Sequence, residues 1–199
     1  MIPEKYKPWF TSGAIDFISN ELKKSDTVIE FGGGMSSIWW ADRCKFTLTV
    51  EANHAWAVKI LNEFSKYPEA LSRWSLKFVP SDWNPTSDQP KKYWKDNQNH
   101  LTPDSIESLN LRYLSIDFDP TVIVIDGSIR PMNIESVDQY LKNNGSVRLI
   151  IVDNMETLSE HTLDKFKGFK RTDFHETVKE LIPAHQNGRW CTSVWVKKK

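Results

Sequence analysis

The sequence has few cysteines, no excess of either charge and no long apolar run. Cys44 and Cys191 are its two cysteines and have neither metal-ligand nor redox spacing, so we expect buried free thiols rather than a disulfide. With 26 basic and 26 acidic residues the net charge is +0, which argues against general attraction to nucleic acid or to an anionic membrane. No apolar run could span a bilayer and no signal peptide is recognisable, so we expect a cytoplasmic protein without membrane contact.

The length of 199 residues suits one domain with its own core, and we treat 1–199 as a single domain. Aromatic residues make up 12% of the chain and include 9 tryptophans spread along its length. We expect some of them in the core and others beside a ligand cleft, because an indole ring offers apolar area together with a polar N–H group.

Short apolar strands alternate with amphipathic helices, beginning with a helical segment over 1–24. The predicted strands are TVIEF, FTLTVE, SLKFVP, TVIVID, VRLIIVDN, FKRTDF and RWCTSVWVKK, and one helical pattern runs from Ala55 to Trp74. TVIVID lacks polar alternation, as expected for a strand buried on both faces of a parallel sheet. We therefore predict an α/β fold, a three-layer sandwich around a mostly parallel seven-stranded sheet that ends in an antiparallel hairpin.

Residues 81–117 show no clear periodicity and contain Pro85, Pro90 and Pro103. A connection of this length is usually functional, and we expect it to form a substrate lid over the cleft. Its aromatic and basic side chains suit an aromatic, sugar or anionic small molecule, and also a nucleic acid strand: Trp83, Tyr93, Trp94, Lys91, Lys92 and Lys95. The neutral net charge favours a small-molecule acceptor over nucleic acid.

The stretch VIEFGGGMSS places three glycines between a strand and a helix, where nucleotide sites are often built. A phosphate-binding loop is excluded because Met35 and Ser36 stand where that motif needs Lys followed by Ser or Thr. The dinucleotide motif fits only in part, since Ser37 replaces its third glycine. Glu51, however, follows Gly32 at about the 20-residue interval expected of an acid that binds a ribose diol.

Glu30 lies two positions ahead of the first glycine and would repel a pyrophosphate bound there. A ligand with a positive end would gain from the same carboxylate. S-adenosylmethionine is such a ligand, because it has an α-ammonium group, a sulfonium and an adenosine, and its α-carboxylate can accept from backbone amides of the turn. Glu30 and Glu51 together thus favour this cofactor over NAD and a nicotinamide-dependent oxidoreductase.

With these motifs the chain resembles the class I S-adenosylmethionine-dependent methyltransferases, whose fold is Rossmann-like. The matching pieces are VIEFGGGMSS, TLTVEANHAW, PSDW, VIVIDGS, LIIVDN and TSVWV. The resemblance implies that Glu51 holds the ribose, that Asp82 meets the adenine amino group and that Ala52 or Trp83 packs on the adenine. It assigns the methionine part and the rest of the cofactor site to Glu30, Phe31, Gly32, Gly33, Gly34, Ser36 and Asp126.

Asp126 ends the strand TVIVID, and Asp153 and Asn154 end the next strand, so we expect all three at the carboxyl edge of the sheet. Their oxygens would suit Mg²⁺, which can draw a hydroxyl toward its alkoxide. The trio is similar in order and spacing to the metal ligands of the catechol and caffeoyl-CoA O-methyltransferases. Without a metal, Asp126 would act alone as base or anchor, and the other two would cap the following helix.

Arg130 and His185 complete the expected catalytic set. The similar O-methyltransferases carry a lysine shortly after the first aspartate, whereas Arg130 stays protonated and would instead hold a carboxylate or phosphate of the substrate. His185 precedes the final strand and is a candidate base, although the five histidines show no metal spacing. Trp9 and Phe10 would either cover the cofactor or pack the first helix onto the core.

Taken with the resemblance, these residues predict an S-adenosylmethionine-dependent methyltransferase that methylates a hydroxyl group of a small molecule, with or without Mg²⁺. One alternative is a methyltransferase that acts on nucleic acid or protein. Another is a protein of the same fold that binds S-adenosylmethionine without transferring its methyl group. Nothing in the sequence indicates an oligomeric state.

Overall fold

The structure is a computed structural model that describes residues 3–51, 53–78, 118–127, 130–158, 165–177 and 188–198. The expected lid over 81–117 lies outside the described residues. So do four of the expected site residues, namely Ala52, Asp82, Trp83 and His185. Their assignments stay predictions.

The seven strands follow one another in the order predicted from the sequence. The strands are β1 Thr27–Phe31, β2 Phe46–Glu51, β3 Trp74–Phe78, β4 Val122–Ile125, β5 Leu149–Val152, β6 Phe169–Thr177 and β7 Arg189–Lys197. The α-helices are α1 Ser12–Glu21, α2 Ser36–Arg43, α3 His54–Phe64, α4 Pro68–Leu71 and α5 Arg130–Leu141. Short 3-10 helices lie at Glu4–Tyr6 and Met155–Thr157.

The seven strands form one sheet in the order β3-β2-β1-β4-β5-β7-β6. Strands β1 to β5 are parallel, whereas β7 is antiparallel to both of its neighbours, β5 and β6. All residues of β4 and β5 are buried, which agrees with their unbroken apolar sequences. The mostly parallel seven-stranded sheet with a closing antiparallel hairpin is therefore confirmed.

Helices cover both faces of the sheet and give the three layers of the sandwich. One core joins α1 to α4 with one face of the strands, through residues that include Ile18, Trp40, Ile60, Ala70, Val28 and Val124. The other core joins α5 to the opposite face, through residues that include Ile134, Val137, Ile29, Ile123 and Ile150. The carboxyl ends of the parallel strands meet at one edge between these layers, where ligands bind in open α/β sheets.

The helical pattern between Ala55 and Trp74 is two helices rather than one. Helix α3 ends at Phe64, and α4 begins at Pro68. The proline ring cannot continue a helix, but its fixed backbone angle suits the first position of a new one. The break brings the chain back to the sheet, so that Trp74 can begin β3.

Aromatic and sulfur side chains divide between core and surface. Phe10 is buried with its ring centroid 6.3 Å from that of Trp40, so it packs the N-terminal segment onto the core. Trp9, in contrast, is 78% exposed. Cys44 and Cys191 are buried free thiols, as expected.

In the part of the chain that the structure describes, no helix combines the length and apolarity needed to cross a membrane.

Asp26 ties together the edge of the sheet opposite the ligand edge. Its carboxylate is 2% exposed and accepts hydrogen bonds from Arg148 Nε at 2.9 Å, from Arg148 Nη2, from Thr121 Oγ1 at 2.8 Å and from the Lys23 amide at 2.7 Å. Arg148 also donates to the Glu21 carbonyl at the end of α1. Burial would raise the pKa of Asp26, but the hydrogen bonds from Arg148 hold that pKa below its ordinary value.

We predict that Asp26→Asn lowers the free energy of unfolding by about 3 kcal/mol, because it leaves the Arg148 guanidinium partly buried without its acid. The lowered pKa means that Asp26 stabilises the wild type above its ordinary titration range and loses this contribution as the pH falls, so the variant should be less sensitive to acid. Urea denaturation between pH 3 and pH 7 measures both effects.

The control for this prediction is Asp42→Asn, which removes the acid of a more exposed pair with Arg43. It should cost less than about 1 kcal/mol. Equal losses in the two variants would contradict a special role for Asp26.

Candidate functional site

The glycine turn connects the end of β1 to the start of α2 and touches the turn that follows β4. Gly32 has a φ of +86°, and a Cβ atom added there would lie 2.3 Å from the Gly127 Cα atom. A side chain at Gly32 is thus excluded by backbone conformation and by space. The close approach fixes the turn after β1 directly beside Asp126, which precedes Gly127.

The amide groups of the three glycines all donate inside the protein. Gly32 N–H donates to the Val50 carbonyl at 3.0 Å, Gly33 N–H to Glu51 Oε2 at 2.8 Å and Gly34 N–H to Ser37 Oγ at 3.3 Å. A pyrophosphate cradle needs such amides for the ligand, and so would the expected contact with the α-carboxylate of S-adenosylmethionine. This geometry therefore supports neither a dinucleotide site nor that contact with the three glycine amides.

The turn has room for a side chain at Gly34 but not at Gly33. A Cβ atom at Gly33 would lie 2.5 Å from Thr49 Cγ2 and 2.7 Å from Ile60 Cδ1, so this residue is pressed against β2 and α3. At Gly34 the nearest atom to such a Cβ would be Ser36 Oγ at 3.6 Å, which is an ordinary contact.

Glu51 stands at the end of β2 with its carboxylate fixed beside the glycine turn. Besides Gly33 N–H, it accepts from the Asn53 amide at 2.6 Å, and the residue is 7% exposed. These two backbone bonds orient the carboxylate beside the turn. The assignment of Glu51 to a ribose diol, from its interval after Gly32, stays a prediction.

Glu30 points into the layer of helices instead of the ligand edge. It has no exposed surface, and one carboxylate oxygen accepts from Ser36 Oγ at 2.7 Å and Trp40 Nε1 at 3.0 Å. The other oxygen accepts from Ser37 Oγ at 2.5 Å and Thr49 Oγ1 at 3.0 Å. All these donors are internal, so this geometry does not support the expected direct contact between Glu30 and the α-ammonium group of a cofactor.

Burial raises the pKa of Glu30 to about 7, although hydrogen bonds from Ser37, Ser36 and Thr49 partly offset the effect. Ser37 connects this buried acid to the turn, because its hydroxyl donates to Glu30 and accepts from the Gly34 amide. Glu30 and Glu51 therefore brace the turn from its two sides, one through a serine and the other directly.

Arg130 joins the ends of β4 and β5. Its Nη2 donates to Asp126 Oδ1 at 3.0 Å and to Asn154 Oδ1 at 2.5 Å, while its buried Nε has no hydrogen-bond partner among the described residues. Asp126 keeps 23% of its side chain exposed. Burial raises the pKa of Asp126 to about 6, and the charge of Arg130 opposes that rise.

Asp153 is buried behind this pair and held by the last strand. It accepts from Thr192 Oγ1 at 2.6 Å and from Trp190 Nε1 at 3.0 and 3.2 Å to its two oxygens. Thr192 Oγ1 in turn accepts from the Thr11 amide at 3.0 Å, which brings the N-terminal segment to the same edge. Burial, together with the nearby Asp126 carboxyl group, raises the pKa of Asp153 well above its ordinary value.

The expected trio of metal ligands does not fit a divalent cation. One oxygen each of Asp126 and Asn154 is directed at the guanidinium of Arg130, and both oxygens of Asp153 accept from Trp190 or Thr192. The guanidinium thus supplies the positive charge that was expected from Mg²⁺. Across the described ranges, moreover, no three His, Cys, Asp or Glu side chains gather into a metal site.

The alternative role for Asn154 as a helix cap is also only partly realised. Asn154 adopts the left-handed conformation with a φ of 54° just before the 3-10 helix Met155–Thr157, but its side chain makes no cap hydrogen bond. Its backbone carbonyl accepts from Thr157 N–H at 3.0 Å. Asparagine tolerates this conformation better than most residues, which explains its presence at the turn.

Several residues of the site were not expected from the sequence. Trp190 and Thr192 hold Asp153, and Ser37, Trp40 and Thr49 satisfy Glu30. The register between β5 and β7 could have indicated Thr192, because Val152 pairs with Ser193 and the next residue along β5 then faces Thr192. Nothing local in the sequence marks the donors to Glu30.

Comparisons of the structure with solved structures agree on the fold. A protein from Klebsiella pneumoniae that is described as a proposed O-methyltransferase matches with a TM-score of 0.56 and 18% identity, over 100% of this chain and 82% of that chain. An rRNA methylase from Streptococcus thermophilus matches with a TM-score of 0.55 and 12% identity, over 92% of this chain and 93% of that chain.

A precorrin-6y C5,15-methyltransferase from Geobacter metallireducens also matches, with a TM-score of 0.53 and 14% identity, over 93% of this chain and 86% of that chain. By sequence, the chain matches no family model and no curated protein. At such identities the matches show the Rossmann-like fold that these methyltransferases share, as the sequence motifs predicted.

We predict that Glu30→Gln changes how stability depends on pH. The pKa of Glu30 is about 7 in the folded protein against an ordinary 4.5, so the folded state holds its proton more tightly. The contribution is fully present below pH 4.5 and is lost as the pH rises through 7, a loss of about 3 kcal/mol. Glutamine does not titrate, so the difference in free energy of unfolding between the variant and the wild type should change by about 3 kcal/mol between pH 4.5 and pH values above 7.

Urea denaturation in steps from pH 4.5 to pH 8 measures the effect. Glu69→Gln on the exposed side of α4 makes the same chemical change without burial and should follow the wild-type curve. Parallel curves for wild type and Glu30→Gln would contradict the proposed burial of a proton-binding carboxyl group.

Proposed function

We propose that this chain is an S-adenosylmethionine-dependent methyltransferase that methylates a hydroxyl group of a small molecule. The observation that supports it most is the Glu51 carboxylate, which is fixed beside a glycine turn that is uncrowded at Gly34. The solved structures named above add support, because their descriptions are those of methyltransferases or methylases. Their stated substrates differ, so the choice of acceptor depends on the site itself.

Glu51 would hold the ribose hydroxyls of the cofactor, and the open side of the turn at Gly34 would receive its methionine part. Phe31 contributes only its backbone, because its side chain is buried in the core. Ser36 and Glu30 would act indirectly, since they bond to each other behind the turn. Asp82 and Trp83 or Ala52 stay proposed adenine contacts.

When bound, S-adenosylmethionine would supply an electrophilic methyl carbon; the acceptor oxygen would displace the sulfur, which would leave with the electron pair of the broken C–S bond. Such a displacement depends mainly on alignment. Asp126 would take the proton of the acceptor hydroxyl and pass it to water. Its partial exposure makes it reachable, and a pKa of about 6 leaves it mostly ionised at pH 7.

Arg130 would be a positioning residue for Asp126. It binds one carboxylate oxygen and the Asn154 amide oxygen, which leaves the second oxygen of Asp126 for the acceptor. Its charge also limits how far burial raises the pKa of Asp126. Because the guanidinium already occupies the expected metal position, we do not assign a metal to the reaction.

RNA methylation is the second candidate, and the observation that favours it is the likeness to an rRNA methylase over nearly the whole of both chains. Incubation with labelled S-adenosylmethionine and separate panels of hydroxylated metabolites, sugars and RNA distinguishes the candidates. Label in an O-methyl product is expected. Label in RNA alone would contradict a small-molecule acceptor, and binding of S-adenosylhomocysteine without any transfer would favour a binding protein.

We predict that Glu51→Gln weakens the binding of S-adenosylhomocysteine by a factor of about 10 to 100, because hydrogen bonds from the ribose hydroxyls to a charged acceptor are lost. The melting temperature should change by only a few degrees, since glutamine keeps one acceptor for the neighbouring amides. Isothermal titration calorimetry measures the affinity, with Glu69→Gln as control. An unchanged affinity would show that Glu51 does not bind the ribose.

We also predict that Arg130→Ala moves the acidic limb of the pH-rate profile to higher pH by about 1 pH unit, because Asp126 loses the positive charge that lowers its pKa. Arg130→Lys should restore the limb in part. Arg43→Ala, at the far end of α2, should leave it unchanged. Wild-type activity should be indifferent to EDTA and to added Mg²⁺, and loss of activity with EDTA that Mg²⁺ restores would contradict the role given to Arg130.

A further inference from the structure

Charge is distributed unevenly between the two edges of the sheet. The carboxyl ends of the parallel strands carry the acids Glu51, Asp126 and Asp153. Eight exposed lysines lie at the opposite edge, where the parallel strands begin. The net charge of +0 therefore conceals two regions of opposite sign.

Four of these lysines lie shortly after the ends of helices. Lys23 and Lys24 follow α1, Lys45 follows α2 and Lys142 follows α5. A cation near the carboxyl end of a helix is stabilised by the helix dipole, so the stability of the fold can account for these four.

The other four lysines surround the end of the hairpin that lies at this edge, and the helix dipole does not explain them. Lys167 and Lys170 lie at the start of β6, and Lys197 and Lys198 lie at the end of β7. The Lys198 amide donates to the Gly168 carbonyl at 2.9 Å, which holds the two pairs side by side. Together with the four near helix ends, these residues form what we call the lysine edge.

Acids do little to neutralise the lysine edge. None of its eight lysines forms an ion pair with an acid in the described ranges. Of the neighbouring acids, Glu21 and Asp26 face Arg148, and Asp138 accepts from a backbone amide. Among the described residues of this edge, Asp119 is then the exposed acid left to oppose eight cations. The excess charge favours a partner with many negative groups.

The lysine edge is long and not confined to one plane. Lys45 precedes β2, and Lys170 lies on β6, five strands farther along the sheet, so the edge spans about 24 Å. Lys170 pairs with Val196, which packs on the core beneath α1, whereas Lys197 pairs with Phe169 of the opposite core. The hairpin end thus presents lysines on both of its faces. Phosphates on the two sides of a duplex groove can meet both faces, whereas a bilayer offers a single plane.

The position of the exposed aromatic rings favours a duplex over a single strand. Proteins that bind single-stranded RNA usually stack its bases on aromatic side chains. The exposed rings of Trp9, Trp56 and Phe78 lie before α1, in the first turn of α3 and at the end of β3, which is the side of the ligand edge. Double-stranded RNA is bound mainly through its shape and its phosphates, for which lysines suffice.

We propose that the lysine edge binds the phosphate backbone of double-stranded RNA. The parallel strands separate this edge from the ligand edge by about 15 Å, and the acids of the ligand edge repel phosphate. RNA bound here is therefore held away from Asp126 and is not the methyl acceptor. The binding surface does not depend on the proposed methyl transfer.

The test measures the binding of a labelled RNA duplex of about 16 base pairs, the length that a double-stranded RNA domain covers, by fluorescence anisotropy at several salt concentrations. The triple variant Lys167→Gln, Lys170→Gln, Lys198→Gln should bind about tenfold more weakly or worse. The slope of log K against log salt should become shallower by about 2 to 3, because each lost phosphate contact removes about 0.9 from it.

The matched control is the triple variant Lys5→Gln, Lys7→Gln, Lys59→Gln. It makes the same change of charge at lysines that already contact acids or the Trp56 ring, away from the lysine edge. It should bind the duplex as the wild type does. Both variants replace exposed side chains, so their melting temperatures should stay within a few degrees of the wild type.

Three results would overturn the proposal. The first is no binding of the duplex by the wild type, and the second is an equal loss in the two triple variants. The third is binding to vesicles of phosphatidylserine and phosphatidylcholine through the same lysines while the duplex does not bind.

Binding of S-adenosylhomocysteine with and without saturating duplex separates this surface from the ligand edge. Equal affinities are expected, and competition between the two ligands would place the RNA at the ligand edge and contradict the proposal. If the duplex binds through the lysine edge and S-adenosylhomocysteine does not bind at all, the RNA surface is supported while methyl transfer is contradicted.

Discussion

The ligand edge of this protein depends on the buried carboxylate of Glu30. A carboxylate without exposure is costly unless hydrogen bonds replace its water, and here two serine hydroxyls, a threonine hydroxyl and an indole do so. These donors come from α2 and β2, so satisfying one side chain of β1 fixes the helix and the neighbouring strand together. The position of the glycine turn follows from that arrangement.

Four acids lie at or near the carboxyl ends of four neighbouring strands, and each is stabilised in a different way. Glu30 uses hydroxyl and indole donors, Glu51 uses backbone amides, Asp126 uses a guanidinium and Asp153 uses an indole and a hydroxyl. The differences determine what each acid can still do. Both oxygens of Glu30 and of Asp153 accept hydrogen bonds from inside the protein, whereas Asp126 is partly exposed and pairs with Arg130 through one oxygen.

The fold was predictable because apolar strands such as TVIVID and the spacing of Glu51 after Gly32 are local signals. The direction of the Glu30 side chain was harder to predict, because side chains alternate between the two faces of a strand. Glu30 shares a face of β1 with Val28, and helices cover that face. Mg²⁺ was expected because Asp126, Asp153 and Asn154 have the spacing of metal ligands in similar enzymes. The sequence does not show that the Arg130 side chain binds two of these three residues. Trp190 was missed because only the pairing of β7 with β5 brings it to Asp153.

The contact between Gly32 and Gly127 has a mechanical consequence. The two backbones touch without intervening side chains, which limits how closely they can approach, and the Asp126 amide donates to the Phe31 carbonyl at 2.9 Å, which opposes their separation. The turn that would hold the methyl donor and the strand end that carries Asp126 are thus spaced by main-chain contacts, which are stiffer than a spacing maintained by flexible side chains.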